Sequence, residues 1–166
     1  IRNCLVGSEM CIRDSMISVD VSDLESVKGK DMGHSEWMVI EQDRINKFAD
    51  ATNDHQWIHL DAEKAAKELP TKSTIAHGFL SLSLLVPLAS EIWSISNAKM
   101  MINYGLNKVR FINMVPVGSK VRLGVKIADV KKLDNGGIQV LSEATLEING
   151  QDKPAYVAES IMVAFA

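Results

Sequence analysis

Residues 119–132 alternate cleanly between apolar and polar positions. Val121, Leu123, Val125 and Ile127 share one face, with Arg122, Lys126 and Ala128 on the other. A period of two predicts a strand with one buried face. Asp134-Asn135-Gly136-Gly137 then reads as a hairpin turn. Strands are predicted over 138–148 and 155–166, with a reversal at Asn149-Gly150, and over 107–115, where the alternation is weaker. The first half of the chain has a different grammar. Ile45, Phe48, Ala49 and Thr52 fall on one face of a helix over 41–52, which Asn53-Asp54 should end. Asp61 can cap a short helix over 62–69 that stops at Pro70. A helix over 22–28 is expected with Ser22 as N-cap and Glu25 completing a capping box, followed by a strand over 36–40. From Gly78 to Trp93 the chain is apolar nearly all round, which predicts a buried helix, with Pro87 kinking or breaking it. One long buried helix followed by an antiparallel meander is an α+β plan, with the sheet wrapped on the helix.

The 166 residues suit one domain. An apolar fraction of 46% with 23% charged residues excludes a mostly disordered chain. Eighteen Lys and Arg against 21 Asp and Glu give a net charge of −3, which is no footprint for nucleic acid and no polybasic membrane anchor. The longest uncharged stretch, 73–90, carries serines, a threonine, a histidine and a proline, so a buried helix is expected there and not a membrane span. Both cysteines, Cys4 and Cys11, precede residue 12, leaving no disulfide framework or cysteine metal site for the body of the chain. This cysteine usage suits the cytoplasm. Residues 1–15 have no clean period and resemble adaptor read-through, with Met16 the expected start. The expected organisation is a non-structural tail, 1–15, and one domain, 16–166.

Three of the four histidines and an aspartate, Asp54, His55, His59 and His77, fall within 25 positions, in NDHQWIHLD and IAHG. No metal is expected. His55 and His59 are spaced i, i+4, but Asn53-Asp54 suggests a turn and no glutamate fills the HExxH slot. Singly, each histidine reads as a satisfied polar group near the core. Asp54 and His59, five apart across a non-helical turn, can instead converge on one water, the carboxylate orienting it and the imidazole relaying a proton. Gly78 opens a helix whose first N–H groups lack internal partners, so a developing oxyanion could be held there.

FADATNDHQWIHLD and STIAHGFLSLSLL, with the later YGLNKVRFINMVPVGSKVRL, resemble the MaoC-like, (R)-specific enoyl-CoA hydratase family, nearest its nodulation-protein-N-like branch. The likeness covers roughly residues 22–166. It implies a hot-dog fold, a long antiparallel sheet around a central helix, usually as a homodimer. It implies syn addition of water to a trans-2-enoyl thioester, with no cofactor beyond the coenzyme A or acyl-carrier thioester that is the substrate. By position, Asp54 and His59 match the family's catalytic pair, and Gly78 the glycine whose N–H polarises the thioester carbonyl. His77, in the HG step, would be structural. The family's Asn-Pro between the pair is Gln56-Trp57 here, and Trp57 is a candidate to fill or reshape the acyl pocket. Lys108 and Arg110 alternate on one strand and are candidates for coenzyme A phosphates, against the plainer expectation of a solvated face. Two rival functions stand beside the hydratase. A hot-dog thioesterase would want a carboxylate on the central helix, which 78–90 lacks. The other is a non-catalytic acyl-thioester-binding protein.

Overall fold

A computed structural model describes residues 16–166. The expectations for residues 1–15, including Cys4 and Cys11, lie outside the described residues. Strand β1 (Ile17–Asp20) leads into a 3-10 helix, Val21–Val27. Its N-cap is Asp20, whose carboxylate accepts from the Ser22 N–H, so the expected Ser22 cap is corrected by two residues. Strands β2 (Asp31–His34) and β3 (Met38–Val39) follow, the second shorter than the expected 36–40. Helix α1 (Gln42–Thr52) buries Ile45 and Ala49 and ends at Asn53, which adopts the left-handed φ of 57°. A single turn, α2 (Trp57–Leu60), precedes α3 (Ala62–Glu68), where the Asp61 carboxylate caps the Lys64 N–H as expected.

The apolar stretch forms two helices, α4 (Gly78–Ser83) and α5 (Leu85–Ile92). The break falls one turn before Pro87, where the proline ring would meet the carbonyl of Ser83. Their inner face, Leu80, Leu84, Leu88 and Ile92, is buried in the core. Phe79 and Val86 on the outer face remain 69% and 46% exposed, so one chain does not cover the whole helix.

Next come β4 (Trp93–Ser96), β5 (Met100–Phe111), β6 (Lys120–Lys132), β7 (Ile138–Ile148) and β8 (Tyr156–Phe165). The alternating run in β6 buries Val121, Leu123, Val125 and Ile127. A bulge between Ile127 and Asp129 then shifts the phase and turns Val130 inward. β5 begins earlier than the expected 107, and 112–115 are not strand.

The antiparallel sheet runs β2-β6-β7-β8-β5, with β3 also on β6, and β1 pairs with β4 in parallel as a separate ribbon. The simple meander is therefore corrected, because β5 lies beside β8 and away from β6. The chain returns from β5 to β6 past residues 74–76, where Ala76 N–H donates to the Val115 carbonyl and Val117 N–H to that of Thr74. The result is the hot-dog plan, with α4 and α5 packed against the inner residues Leu123, Ile127, Val140, Leu146 and Tyr156.

Candidate active site

The left-handed Asn53 turns the chain out of α1, so Asp54 leads an extended segment that re-enters helix at Trp57. That geometry separates Asp54 from His59 by a turn and lets both side chains face one region. Helix α2 is too short to be stable alone, and its neighbours hold it. Ile75 N–H donates to the Ile58 carbonyl at 3.1 Å, and the Gln42 amide donates to the His59 carbonyl at 2.8 Å. The Thr74 hydroxyl, on a fully buried residue, donates in turn to the Gln42 amide oxygen. Gln42 thus ties α1, α2 and the segment that delivers His77 and Gly78.

His59 is buried, with Nδ1 2.7 Å from the Ile75 carbonyl oxygen. A carbonyl only accepts, so Nδ1 carries the hydrogen and the neutral ring keeps its lone pair on Nε2. His77 Nε2 lies 3.0 Å from the main-chain oxygen of Asp54, which puts the hydrogen of a singly protonated His77 ring on Nε2. Its Nδ1 is buried without a partner among the described residues. The two rings stack with centroids 3.6 Å apart and planes 23° from parallel. One polar atom each from Asp54, His59 and His77 lies within 4.8 Å of the others. Burial holds His59 below the ordinary histidine value, assisted by His77, while the Ile75 carbonyl and Asp54 pull the other way. The Asp54 side chain stays half exposed.

His59 and Gly78 line one cleft of about 440 Å³, with Ser81, Phe111, Asn113 and Met114 among its other walls. Gly78 is the first residue of α4, and its N–H has no partner among the described residues. A Cβ there would stand 3.2 Å from the Phe111 ring, so only glycine leaves the backbone open on that side without moving the wall. A base with a free lone pair and, among the described residues, an unpaired N–H at a helix start therefore line one cleft, while the Asp54 carboxylate does not line it and reaches the base only as part of the polar cluster with His77.

The family profile described as the MaoC like domain matches residues 23–147. The chain belongs to the MaoC-like dehydratase family. Over 142 residues it is 49% identical to the 3-hydroxyacyl-thioester dehydratase Z of Mycobacterium tuberculosis, covering 86% of this chain and 93% of that one. Nodulation protein N of Rhizobium meliloti is 41% identical over 150 residues, 90% of this chain and 93% of that one. Among solved structures, the unliganded R-hydratase PhaJ1 of Pseudomonas aeruginosa superposes with a TM-score of 0.65. It is 22% identical and covers 87% of this chain and 84% of that one. The (R)-hydratase of A. caviae gives a TM-score of 0.63 at 21% identity, covering 81% and 94%. At these identities the structural matches speak for the hot-dog fold.

Within this MaoC-like domain the other candidates are distributed as follows. His55 pairs with Asp50 on the surface at 3.0 Å. Lys108 and Arg110 lie on β5, one strand position before and after Val109. The Lys108 ammonium pairs across the sheet with Glu159 at 3.1 Å, and Arg110 donates to the Val109 carbonyl. Neither lines the cleft, although Phe111 on the same strand does. Trp57 does not line it either. Its ring lies under the Lys64 ammonium of α3 at 4.4 Å, outside the wall of this cleft. The trio Asp54, His59 and His77 makes a poor metal site. Stacked imidazoles keep their lone pairs in nearly parallel planes, with ring centroids 3.6 Å apart, and one nitrogen of each ring already donates to a main-chain carbonyl, whereas metal ligands must converge at about 2 Å from one ion. Gln42, Ser81, Phe111 and the Ile75 carbonyl carried no signal in the sequence, because each reaches the site only through a non-local contact.

Proposed function

We propose that this MaoC-like dehydratase adds water to a trans-2-enoyl thioester through Asp54 and His59, giving the (R)-3-hydroxyacyl thioester, and removes it in reverse. The observation that supports it most is a free Nε2 lone pair on His59 in the cleft that also holds the Gly78 N–H, with a carboxylate oxygen of Asp54 in the same polar cluster, within 4.8 Å of an imidazole nitrogen of His59. Asp54 orients a water and His59 Nε2 takes its proton as the oxygen bonds to the β-carbon. The electron pair of the double bond shifts toward the thioester carbonyl, whose oxygen becomes an enolate held by the Gly78 N–H at the positive end of the helix. The proton is then returned to the α-carbon by the same pair, so atoms and charge balance and no net proton is lost. The acyl chain runs on along α4 and α5, where Leu85, Val86, Ala89, Met101, Val125 and Met162 contribute to a second, mostly apolar cavity of about 260 Å³. Lys108 and Arg110 are the candidates to meet phosphates of the carrier.

The same proposal includes a homodimer. β5 is an edge strand with Met100, Met101, Ile102, Tyr104 and Leu106 exposed, next to exposed Phe79 and Val86. An apolar, unpaired edge of this length calls for cover, and a second copy with two-fold symmetry supplies it. Light scattering at micromolar concentration should give roughly twice 18.3 kDa. A monomer that still hydrates enoyl-CoA would remove the dimer from the proposal. No helix among the described residues is long and apolar enough to cross a membrane. We place the reaction in the cytoplasm, in keeping with the cysteine-free body of the chain.

Incubation with crotonyl-CoA and longer enoyl-CoA, following both enoyl absorbance and free thiol, tests the reaction. Loss of the enoyl absorbance without thiol supports the hydratase. Thiol release would favour a thioesterase, and neither change would favour a binding protein. The thioesterase is disfavoured because Glu91, the one carboxylate on α4 and α5, lies at the end far from Gly78 and accepts from the Glu36 N–H.

A further inference from the structure

We propose that His77 is a positioning residue that fastens the two reacting side chains to one another, a role that rests on the hydratase proposal for its catalytic consequence but not for its geometry. Asp54 is exposed in the extended segment between α1 and α2, and His59 is buried within α2, so nothing in their own turn fixes the distance between them. His77 touches both. Its ring lies flat on His59 at 3.6 Å, and its Nε2–H donates to the Asp54 main-chain carbonyl at 3.0 Å. Phe48 of α1 packs against the same ring at 5.0 Å, and the side chain is only 3% exposed, so His77 has no freedom to follow a moving neighbour.

The cost of this placement is visible. His77 Nδ1 is one of two buried side-chain polar atoms without a partner among the described residues. An unsatisfied buried acceptor is unfavourable, and a residue present only to fill space would be better apolar. What an apolar residue lacks is the Nε2–H. With His59 fixed from one side by the Ile75 carbonyl and from its face by His77, the Nε2 lone pair points in one direction. With Asp54 held by its carbonyl, its carboxylate stays in the same cluster, 4.0 Å from His77 Nε2 and within 4.8 Å of an imidazole nitrogen of His59. A displacement of about 1 Å in such a constellation costs on the order of 10²-fold in rate.

The ring tautomers provide a test in the wild-type protein that does not depend on turnover. ¹⁵N NMR of histidine-labelled protein at neutral pH should show His59 as Nδ1–H and His77 as Nε2–H. A His77 ring protonated on Nδ1 alone would overturn the proposal. Two variants then read the catalytic consequence with crotonyl-CoA. His77→Leu fills the space but removes the donor, and is expected to lower kcat by about 10²-fold with KM changed little. His77→Gln keeps an amide N–H at similar reach and should recover most of that loss. Wild-type kcat in His77→Leu, or a His77→Gln as impaired as His77→Leu, would overturn it. So would a rise in KM that accounts for the whole loss. Should His77→Leu fail to fold, His77→Gln against wild type and the tautomer spectrum still decide. A wild type that turns over no enoyl thioester but shows the two opposite tautomers would count against the hydratase and not against the clamp.

Discussion

Gly78→Ala should separate stability from catalysis. The backbone of Gly78 lies outside the left-handed region, so alanine can adopt it without strain. An alanine at a helix start restricts the unfolded chain and favours the folded one by ~0.4–1 kcal/mol. Against this, the new Cβ would lie 3.2–3.3 Å from three atoms of the Phe111 ring. That ring belongs to a residue 47% exposed and can yield by a few tenths of an ångström. The overlap should therefore cost about 1 kcal/mol, the low end for overpacking. The two effects nearly cancel, and the melting temperature should stay within about 3 °C of wild type. The cleft does not recover in the same way. Its wall is made by Phe111 and the Gly78 backbone, and the methyl group crowds the path of the thioester oxygen to the N–H. Losing one oxyanion donor outright costs about 10²–10³-fold. Here the donor remains but is harder to reach, so a 10- to 100-fold fall in kcat/KM is expected. Steady-state loss of enoyl absorbance and a thermal melt on the same sample measure both quantities. Wild-type kcat/KM in a well-folded Gly78→Ala would refute the assignment of this N–H to the carbonyl.

The other predictions concern the acid–base pair and the surface around it. Asp54→Asn and His59→Ala should each lower kcat by roughly 10²–10⁴, and the double variant should lose little more than the worse single, since both act on one water; near-wild-type turnover in either single would remove that residue from the chemistry. Burial disfavours the charged form of His59, so kcat/KM should hold its plateau to a pH below the ordinary histidine value of 6.5 before the acid limb begins. In the same window the unfolded chain binds more protons than the folded one, so the stability from neutral His59 is complete above pH 6.5 and is lost as pH falls toward the depressed folded value. Urea midpoints of wild type and His59→Gln between pH 5 and 7 should converge toward the acid end, and parallel curves would contradict the shift. Trp57→Ala, which removes a ring lying under Lys64 and off the cleft wall, should leave kcat/KM within about threefold. Lys108→Ala and Arg110→Ala should raise KM for a coenzyme A thioester without lowering kcat, and an unchanged KM would leave both as solvated strand residues.

Local pattern was enough wherever the physics was local. β6 and β7 were legible because one buried face imposes a period of two, and Asp134 to Gly137 supplies the turn, with Gly136 at φ 81°. Asp61 and Asn53 announced a helix start and a helix end, because their side chains or backbones satisfy groups within a few residues. Pro87 announced the break between α4 and α5 for the same reason. Asp54, His59 and Gly78 were legible as candidates through residue type, spacing and the family resemblance. The tertiary structure decided the rest. The early part of β5 had no alternation to read, because as an edge strand it is exposed on both faces in the single chain. β1 pairs with β4 and β5 with β8 across long stretches of chain, and loop closure over such distances leaves no mark on either segment alone. The site itself is finished by groups that sequence spacing does not connect: the Ile75 carbonyl that sets the His59 tautomer, the Gln42 amide that anchors α2, and the His77 ring that stacks on His59 and bonds the Asp54 carbonyl. Residue types along the chain determine which chemistry is available. Which nitrogen holds the lone pair, and what it faces, depends on backbone groups brought together only when the sheet closes on the helices.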